Sequence, residues 1–110
     1  MKKIYVAGKY SADNVIDVLH NIREGIKISA KLIKMGYSPF CPWLDHQFSF
    51  YEDISVEEYY KYSIDFLKVC DAMLVLPHSE NSKGTQKEII IAENMGMPIY
   101  YSLEEIKCIT

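Results

Sequence analysis

Short apolar segments that resemble β-strands alternate along the chain with longer, helix-like segments, and this alternation constrains the fold more than any other feature. Four segments have strand character: KIYVAG at 3–8, YSPFCP at 37–42, DAMLVLP at 71–77 and MPIYY at 97–101. A strand–helix alternation of this kind is typical of parallel strands joined by right-handed crossovers. We therefore predict an α/β fold, a small Rossmann-like three-layer α/β/α domain with a mainly parallel sheet of four or five strands.

The segments between the strands carry apolar residues at helical spacing. After Asp13 or Asn14, either of which can cap a helix, such residues recur until Gly36, which ends the helix: Val15, Val18, Leu19, Ile22, Ile26, Ala30 and Ile33. A second helix is predicted over 56–69. A short terminal helix over SLEEIKC is predicted to begin after Ser102 as its N-cap.

The length and composition indicate one domain, residues 1–110, because 110 residues with 49% hydrophobic content can bury one ordinary core. The formal net charge of −3 argues against a nucleic acid polymer as partner, which would require a basic surface. The apolar run in MKKIYVAG is too short for a signal peptide, and no stretch approaches about 20 apolar residues. We therefore predict a protein that does not enter a membrane and that lies in the cytoplasm of a bacterium, or of the host cell if a phage encodes it.

The cysteines and histidines do not form a metal-binding or disulfide pattern. The cysteines are odd in number and lack a CxxC spacing, and no histidine has a ligand-spaced partner: Cys41, Cys70, Cys108, His20, His46 and His78. We predict reduced, mostly buried thiols and no metal or other cofactor.

Three loops are expected to form a ligand pocket. In parallel sheets of this type, ligands bind beyond the carboxyl ends of the strands, near a topological switch point. The loops at 8–13, 42–54 and 77–87 follow strands and converge there, and the tract at 43–54 is predicted to be a long irregular loop because it lacks a clear period. This arrangement puts Glu88 at the mouth of the predicted pocket.

Glu88 has two interpretations. Thr85-Gln86-Lys87-Glu88 fits a capping box, in which Thr85 accepts from the Glu88 N–H and Glu88 accepts from the Thr85 N–H. The other interpretation is a carboxylate that faces a ligand as a nucleophile or an acid/base. Spacing alone favours the cap, while the position at the pocket supports the second interpretation.

Three segments resemble the nucleoside 2-deoxyribosyltransferase-like superfamily, particularly its small members found in bacteria and phages: IYVAGKYS, CDAMLVLP and SKGTQKEIIIAENMGMPI. The likeness spans residues 4–101. Its most specific part is the run Ser82, Gly84, Glu88, Ala92, Gly96 and Pro98. The spacing Ser-x-Gly-x-x-x-Glu resembles the branch that hydrolyses 2'-deoxynucleoside 5'-phosphates, whereas the transferase branch has an aspartate at the position of Ser82.

The resemblance implies hydrolysis of the N-glycosidic bond of a (deoxy)nucleoside 5'-phosphate or related nucleotide, with Glu88 as nucleophile and Ser82 as a phosphate contact. A carboxylate below the sugar can stabilise or trap oxocarbenium character at C1'. A helix N-terminus with a hydroxyl and N–H donors can hold the phosphate. The residues expected to bind the ligand are Gly8, Lys9, Tyr10, Ser82, Lys83, Gly84 and Thr85.

The sequence departs from the family at Ser63, where the family commonly has an aspartate near the sugar. Asp65 lies two residues further on, which on a helix turns it by roughly 200° to another face. The proton donor therefore stays open among the loop and helix residues Asp45, His46, Asp53 and Asp65, or a group from a neighbouring subunit. The alternative function is a nucleotide-binding protein that sequesters or senses its ligand without turnover.

Small size and the likeness to oligomeric family members imply a homodimer or higher homo-oligomer in which a neighbouring subunit covers the nucleotide. Tyr59, Tyr60 and Tyr62 on the second helix are predicted to pack on neighbouring elements or on another subunit, with base stacking as the alternative.

Overall fold

The four predicted strands form one parallel sheet in the computed structural model, which describes residues 2–107. The strands are β1 (Lys3–Ala7), β2 (Ser38–Phe40), β3 (Ala72–Val75) and β4 (Ile99–Tyr100), in the spatial order β2-β1-β3-β4. Every neighbouring pair is parallel. The predicted α/β class and the four-stranded parallel sheet are therefore confirmed.

Four α-helices connect and follow the strands: α1 (Val15–Lys34), α2 (Val56–Leu67), α3 (Lys83–Asn94) and α4 (Leu103–Lys107). Asn14 caps α1, since its side chain accepts a hydrogen bond of 2.9 Å from the Asp17 N–H. Gly36 follows the helix with a φ of +95°, a conformation that suits glycine. Ser102 accepts from the Glu105 N–H at 3.3 Å, which confirms it as the cap of α4.

The prediction of a long irregular loop at 43–54 is wrong for most of its length, because Pro42–Phe50 forms a 3₁₀ helix, here called the 3₁₀ segment. One buried side chain fixes it: Trp43 is 1% exposed, and its indole N–H donates to the Lys9 carbonyl at 3.1 Å. The ring packs directly over Gly25 of α1. One buried tryptophan does not create a repeating apolar pattern, so the sequence gives no periodic signal for this helix.

The strands bury both faces, as expected of a parallel sheet between two helical layers. Successive residues of β1 point to opposite sides, so Ile4 and Val6 join one core cluster while Tyr5 and Ala7 join the other. The first cluster includes residues of α1, the 3₁₀ segment and α4, and the second includes residues of α2 and α3. The three-layer arrangement is confirmed.

Cys41 and Cys70 are free, half-buried thiols, and Cys108 lies outside the described residues. Within residues 2–107 no helix combines the length and apolar character needed to cross a membrane.

Candidate active site

A cavity opens at the switch point of the sheet, where the chain turns from β1 to one neighbour, β2, and later to the other, β3. Its volume is about 820 Å³, within the usual range for small-molecule sites. The lining comes from the three predicted loops together with α2 and α3, and includes Gly8, Lys9, Tyr10, Asp45, Tyr59, Tyr60, Ser63, Ser82, Lys83, Gly84, Thr85 and Glu88.

Glu88 lies in the second turn of α3 and is half-buried at the cavity wall. Its carboxylate accepts a hydrogen bond from the hydroxyl of Tyr5, a fully buried residue of β1. Burial raises the pKa of the Glu88 carboxyl to about 7, and the hydrogen bond from Tyr5 lowers it in part. Burial, followed by the charge of Glu88, raises the pKa of Tyr5 well above its ordinary value, so the phenol stays protonated and donates.

The predicted capping box is wrong. Ser82 is the N-cap of α3, and its side chain accepts from the Thr85 N–H at 3.3 Å and from the Thr85 hydroxyl at 2.9 Å. The helix therefore begins three residues earlier than the Thr-x-x-Glu spacing suggests. Glu88 is then too far along α3 to cap it, and its carboxylate bonds with Tyr5.

The raised pKa of Glu88 predicts a pH-dependent stability difference between the native chain and Glu88→Gln. A carboxyl whose pKa is about 7 when folded and 4.5 ordinarily contributes stability that is fully present below pH 4.5 and lost as pH rises through 7. The free energy of unfolding of the native chain should therefore fall relative to the variant by on the order of 2 kcal/mol between pH 5 and pH 8. Urea unfolding at both pH values measures this, and a constant difference would contradict the buried carboxyl.

The start of α3 borders the cavity. The first N–H groups of a helix lack intrahelical acceptors, and the positive end of the helix dipole adds to their field. Lys83 and Gly84 are exposed there, and a Cβ placed on Gly84 would meet no atom within 4 Å. The structure thus brings the predicted residues Ser82, Lys83, Gly84 and Thr85 together at one end of the cavity.

The loop after β1 forms another part of the wall. Gly8 is closely packed, since a Cβ there would lie 3.0 Å from the Trp43 ring and 3.1 Å from the Leu76 Cβ. The loop is tied to α1, because the Asn21 side chain donates to the Tyr10 carbonyl at 3.1 Å. Tyr10 itself is half-buried against the cavity.

Of the four candidate proton donors, the structure brings only Asp45 to the cavity wall, where it is 9% exposed. Burial raises the pKa of Asp45 to about 6. His46 turns its ring to the Trp43 carbonyl, with Nδ1 at 2.7 Å from the oxygen. Asp53 and Asp65 are exposed and outside the lining, whereas Ser63 is buried in it. The helical spacing had predicted this difference between positions 63 and 65.

The three tyrosines of α2 have different surroundings, and Tyr60 also packs against the second core cluster. Tyr59 and Tyr60 line the cavity. Tyr62 makes edge contacts with the rings of Phe40, Phe48 and Phe66. Its packing on neighbouring elements is the arrangement that the sequence favoured.

Sequence reasoning missed Tyr5 and His78. The hydroxyl of a tyrosine in a wholly buried strand usually needs a hydrogen-bond partner, and a search for that partner could have pointed to Glu88. His78 lines the cavity with a φ of +63°, a conformation uncommon for a residue with a side chain. Among residues 2–107, no three His, Cys, Asp or Glu side chains come together as a set that could hold a metal ion.

Comparison with known proteins agrees with this architecture. Residues 2–101 match the family described as "Domain of unknown function (DUF4406)". The chain belongs to this family. Among solved structures, the fold is similar to that of the 2-deoxyribosyltransferase of the psychrotolerant bacterium Bacillus psychrosaccharolyticus, a biocatalyst for the synthesis of antiviral and antitumoral nucleosides.

That structure aligns with a TM-score of 0.65 and 19% sequence identity over 88% of this chain and 69% of the other. At this identity the likeness is one of fold. This fold is the one implied by the resemblance of the motifs to the nucleoside 2-deoxyribosyltransferase-like superfamily. No curated protein matches the chain by sequence.

Proposed function

We propose that this protein hydrolyses the N-glycosidic bond of a (deoxy)nucleoside 5'-phosphate or related nucleotide, with Glu88 as nucleophile. The observation that carries the proposal is the half-buried Glu88 carboxylate, which Tyr5 holds in a nucleotide-sized cavity beside the start of α3. The shared fold with a 2-deoxyribosyltransferase supports the same class of bond.

The reaction follows from the position of the carboxylate. As the C1'–N bond breaks, positive charge develops on the sugar, and a Glu88 oxygen attacks C1' to give a glycosyl ester. Water then cleaves the ester, releasing the sugar phosphate and restoring the carboxylate. Tyr5 bonds to one carboxylate oxygen, which fixes the orientation of the group and leaves the other oxygen for the sugar.

The phosphate is assigned to the start of α3. The first N–H groups of the helix, the hydroxyl of Ser82 and the ammonium group of Lys83 supply donors and positive charge. Because Glu88 follows on the same helix, a phosphate held at its N-terminus places the attached sugar towards Glu88 and away from bulk water.

One observation favours a second function, the binding of a nucleotide without turnover. Ser63 is buried in the cavity at the position where the sequence resemblance implies an aspartate, so a carboxyl group is replaced by a hydroxyl. A protein without a proton donor could sequester or sense the nucleotide.

Incubation of the protein with a panel of ribo- and deoxynucleoside 5'-phosphates, followed by chromatography for free base, separates the two functions. The proposal predicts release of base and of sugar phosphate from at least one nucleotide, and little release from the matching nucleoside. Adding a different free base to the mixture tests for transfer, because transfer of the sugar phosphate to that base would yield a new nucleotide. Stoichiometric binding with no released base would support sequestration and overturn the hydrolase.

Ser82→Gly is expected to weaken binding of the 5'-phosphate about 5–30-fold, equivalent to roughly 1–2 kcal/mol, since a hydrogen bond to a charged group is lost. Glycine is the appropriate replacement because it keeps most of the N-cap stability, whereas alanine loses about 1 kcal/mol. Calorimetric titration with nucleotide and nucleoside measures the difference. An equal loss for both ligands would show that Ser82 acts on the fold and not on the phosphate.

We also propose a homo-oligomer whose neighbouring subunit covers the cavity. Phe50 and Tyr51, at the end of the 3₁₀ segment, are 84% and 89% exposed, and Val56 at the cavity mouth is 80% exposed. Apolar side chains so placed favour burial by another chain. Light scattering should give a mass of at least two chains at working concentration, and a strict monomer would contradict this.

A further inference from the structure

We propose that Asp45 is the catalytic acid that protonates the departing base, in an inference that rests on the nucleotide hydrolysis proposed above. The group thus takes over a proton transfer that Ser63, a neutral hydroxyl, does not perform.

The placement of Asp45 supports this role. It lies in the 3₁₀ segment two residues after Trp43, whose burial and bond to the Lys9 carbonyl fix the local backbone. Asp45 is buried, with 9% of its surface exposed, yet it lines the cavity. Within residues 2–107, no other residue donates a hydrogen bond to its carboxylate. A carboxyl so buried and so weakly bonded is available to a ligand.

The order of the strands places Asp45 and Glu88 on different sides of the cavity. Asp45 follows β2, Glu88 lies on the helix that follows β3, and β1 runs between these strands. A nucleotide with its phosphate at the start of α3 and its C1' near Glu88 therefore extends its base towards Asp45. Tyr10 and Tyr59 line the same cavity and offer aromatic surface to the base.

The proton transfers balance over the two steps. In the first, the Asp45 proton goes to a base nitrogen or oxygen, the C1'–N electron pair stays with the base, and a Glu88 oxygen bonds to C1'. In the second, water attacks C1', Asp45 accepts its proton, and the Glu88 carboxylate departs. One water is consumed, and both side chains return to their starting states.

The surroundings of Asp45 favour a carboxyl that holds a proton near neutral pH. Burial raises its pKa to about 6, and the charge of His46 in the same segment lowers it in part. The other titratable groups that interact with Asp45 are thiols or phenols whose pKa burial raises, so they stay neutral: Tyr5, Tyr10, Cys41 and Tyr62.

The two carboxyls together predict a narrow pH optimum. Productive protein has Glu88 ionised, which requires a pH near or above about 7, and Asp45 protonated, which requires a pH near or below about 6. The rate should therefore rise and then fall across neutral pH, with its maximum between these values.

The test compares two substrates that differ in their need for an acid. One is the natural nucleotide from which the wild type releases base fastest. The other is the 4-nitrophenyl glycoside of 2-deoxyribose 5-phosphate, whose leaving group departs as a stable anion. Asp45→Asn should lose about 10²-fold or more on the nucleotide and less than about 10-fold on the aryl substrate. Glu88→Gln should lose activity on both substrates. Asp17→Asn, a matched change at an exposed residue of α1 outside the cavity, should lose activity on neither.

Each outcome bears on a different claim. Full nucleotide activity in Asp45→Asn, or an equal loss on both substrates, would overturn Asp45 as the acid while leaving Glu88 as nucleophile. The falling limb of the pH profile should also be absent for the aryl substrate, and its persistence there would overturn the assignment. If the wild type cleaves neither substrate, the proposed hydrolysis fails, and the role of Asp45 fails with it.

Discussion

Glu88→Gln is expected to lower base release by about 10²-fold or more while the protein still folds and binds nucleotide. The amide neither attacks C1' nor balances oxocarbenium charge, so the chemical step loses its main stabilising group. Tyr5 can still donate to the glutamine oxygen, and the replacement removes a buried charge, so the structure should persist. Chromatographic assay of free base, with calorimetric titration of the same samples, measures both effects.

Glu93→Gln is the matched control, because Glu93 lies on the same helix, is exposed, and is outside the cavity wall. It should retain wild-type turnover. If Glu88→Gln keeps full base release under conditions where the wild type turns over, Glu88 is not the nucleophile.

Gly25→Ala is expected to destabilise the protein more than an exposed helix substitution does, by about 1–3 kcal/mol. A Cβ on Gly25 would lie 2.2 Å from two atoms of the Trp43 ring, a distance that requires the ring or α1 to move. Trp43 is fully buried, so movement disturbs the core and the bond to the Lys9 carbonyl. Thermal unfolding should show a fall of roughly 5–20 °C for a chain of this size.

Gly84→Ala provides the comparison for stability, since a Cβ there would meet nothing within 4 Å. Both glycines are helical, so both changes gain up to about 1 kcal/mol in helix propensity, and only Gly25 meets a steric obstacle. Equal unfolding temperatures for the two variants would show that Trp43 does not hold the 3₁₀ segment against α1.

The fold could be predicted because its signals are local and repeated. Continuous apolar segments such as AMLV in β3 are buried on both faces, and the apolar spacing of α1 together with Gly36 defines a helix and its end. Parallel order then follows from the alternation of elements, and the position of the cavity follows from parallel order.

The site could be predicted only in part, because its geometry depends on contacts between distant residues. Ser82 and Thr85 both have capping side chains, and the sequence does not state which one the helix uses. Tyr5 and Glu88 are separated by 83 positions, so no spacing links them. Asp45 lines the cavity and His46 does not, and this difference depends on how the buried Trp43 positions the 3₁₀ segment.

Mass spectrometry of a trapped intermediate tests most directly whether Glu88 carries the reaction. A 2-fluoro substituent on the sugar slows formation and hydrolysis of a glycosyl ester, so a fluorinated form of a cleaved nucleotide should allow the ester to accumulate. We predict that intact protein gains the mass of one fluorinated sugar phosphate less one water, that peptide mapping locates it on Glu88, and that Glu88→Gln gains nothing. Release of base with the adduct on another residue, or binding of the nucleotide with neither base nor adduct, would contradict the assignment.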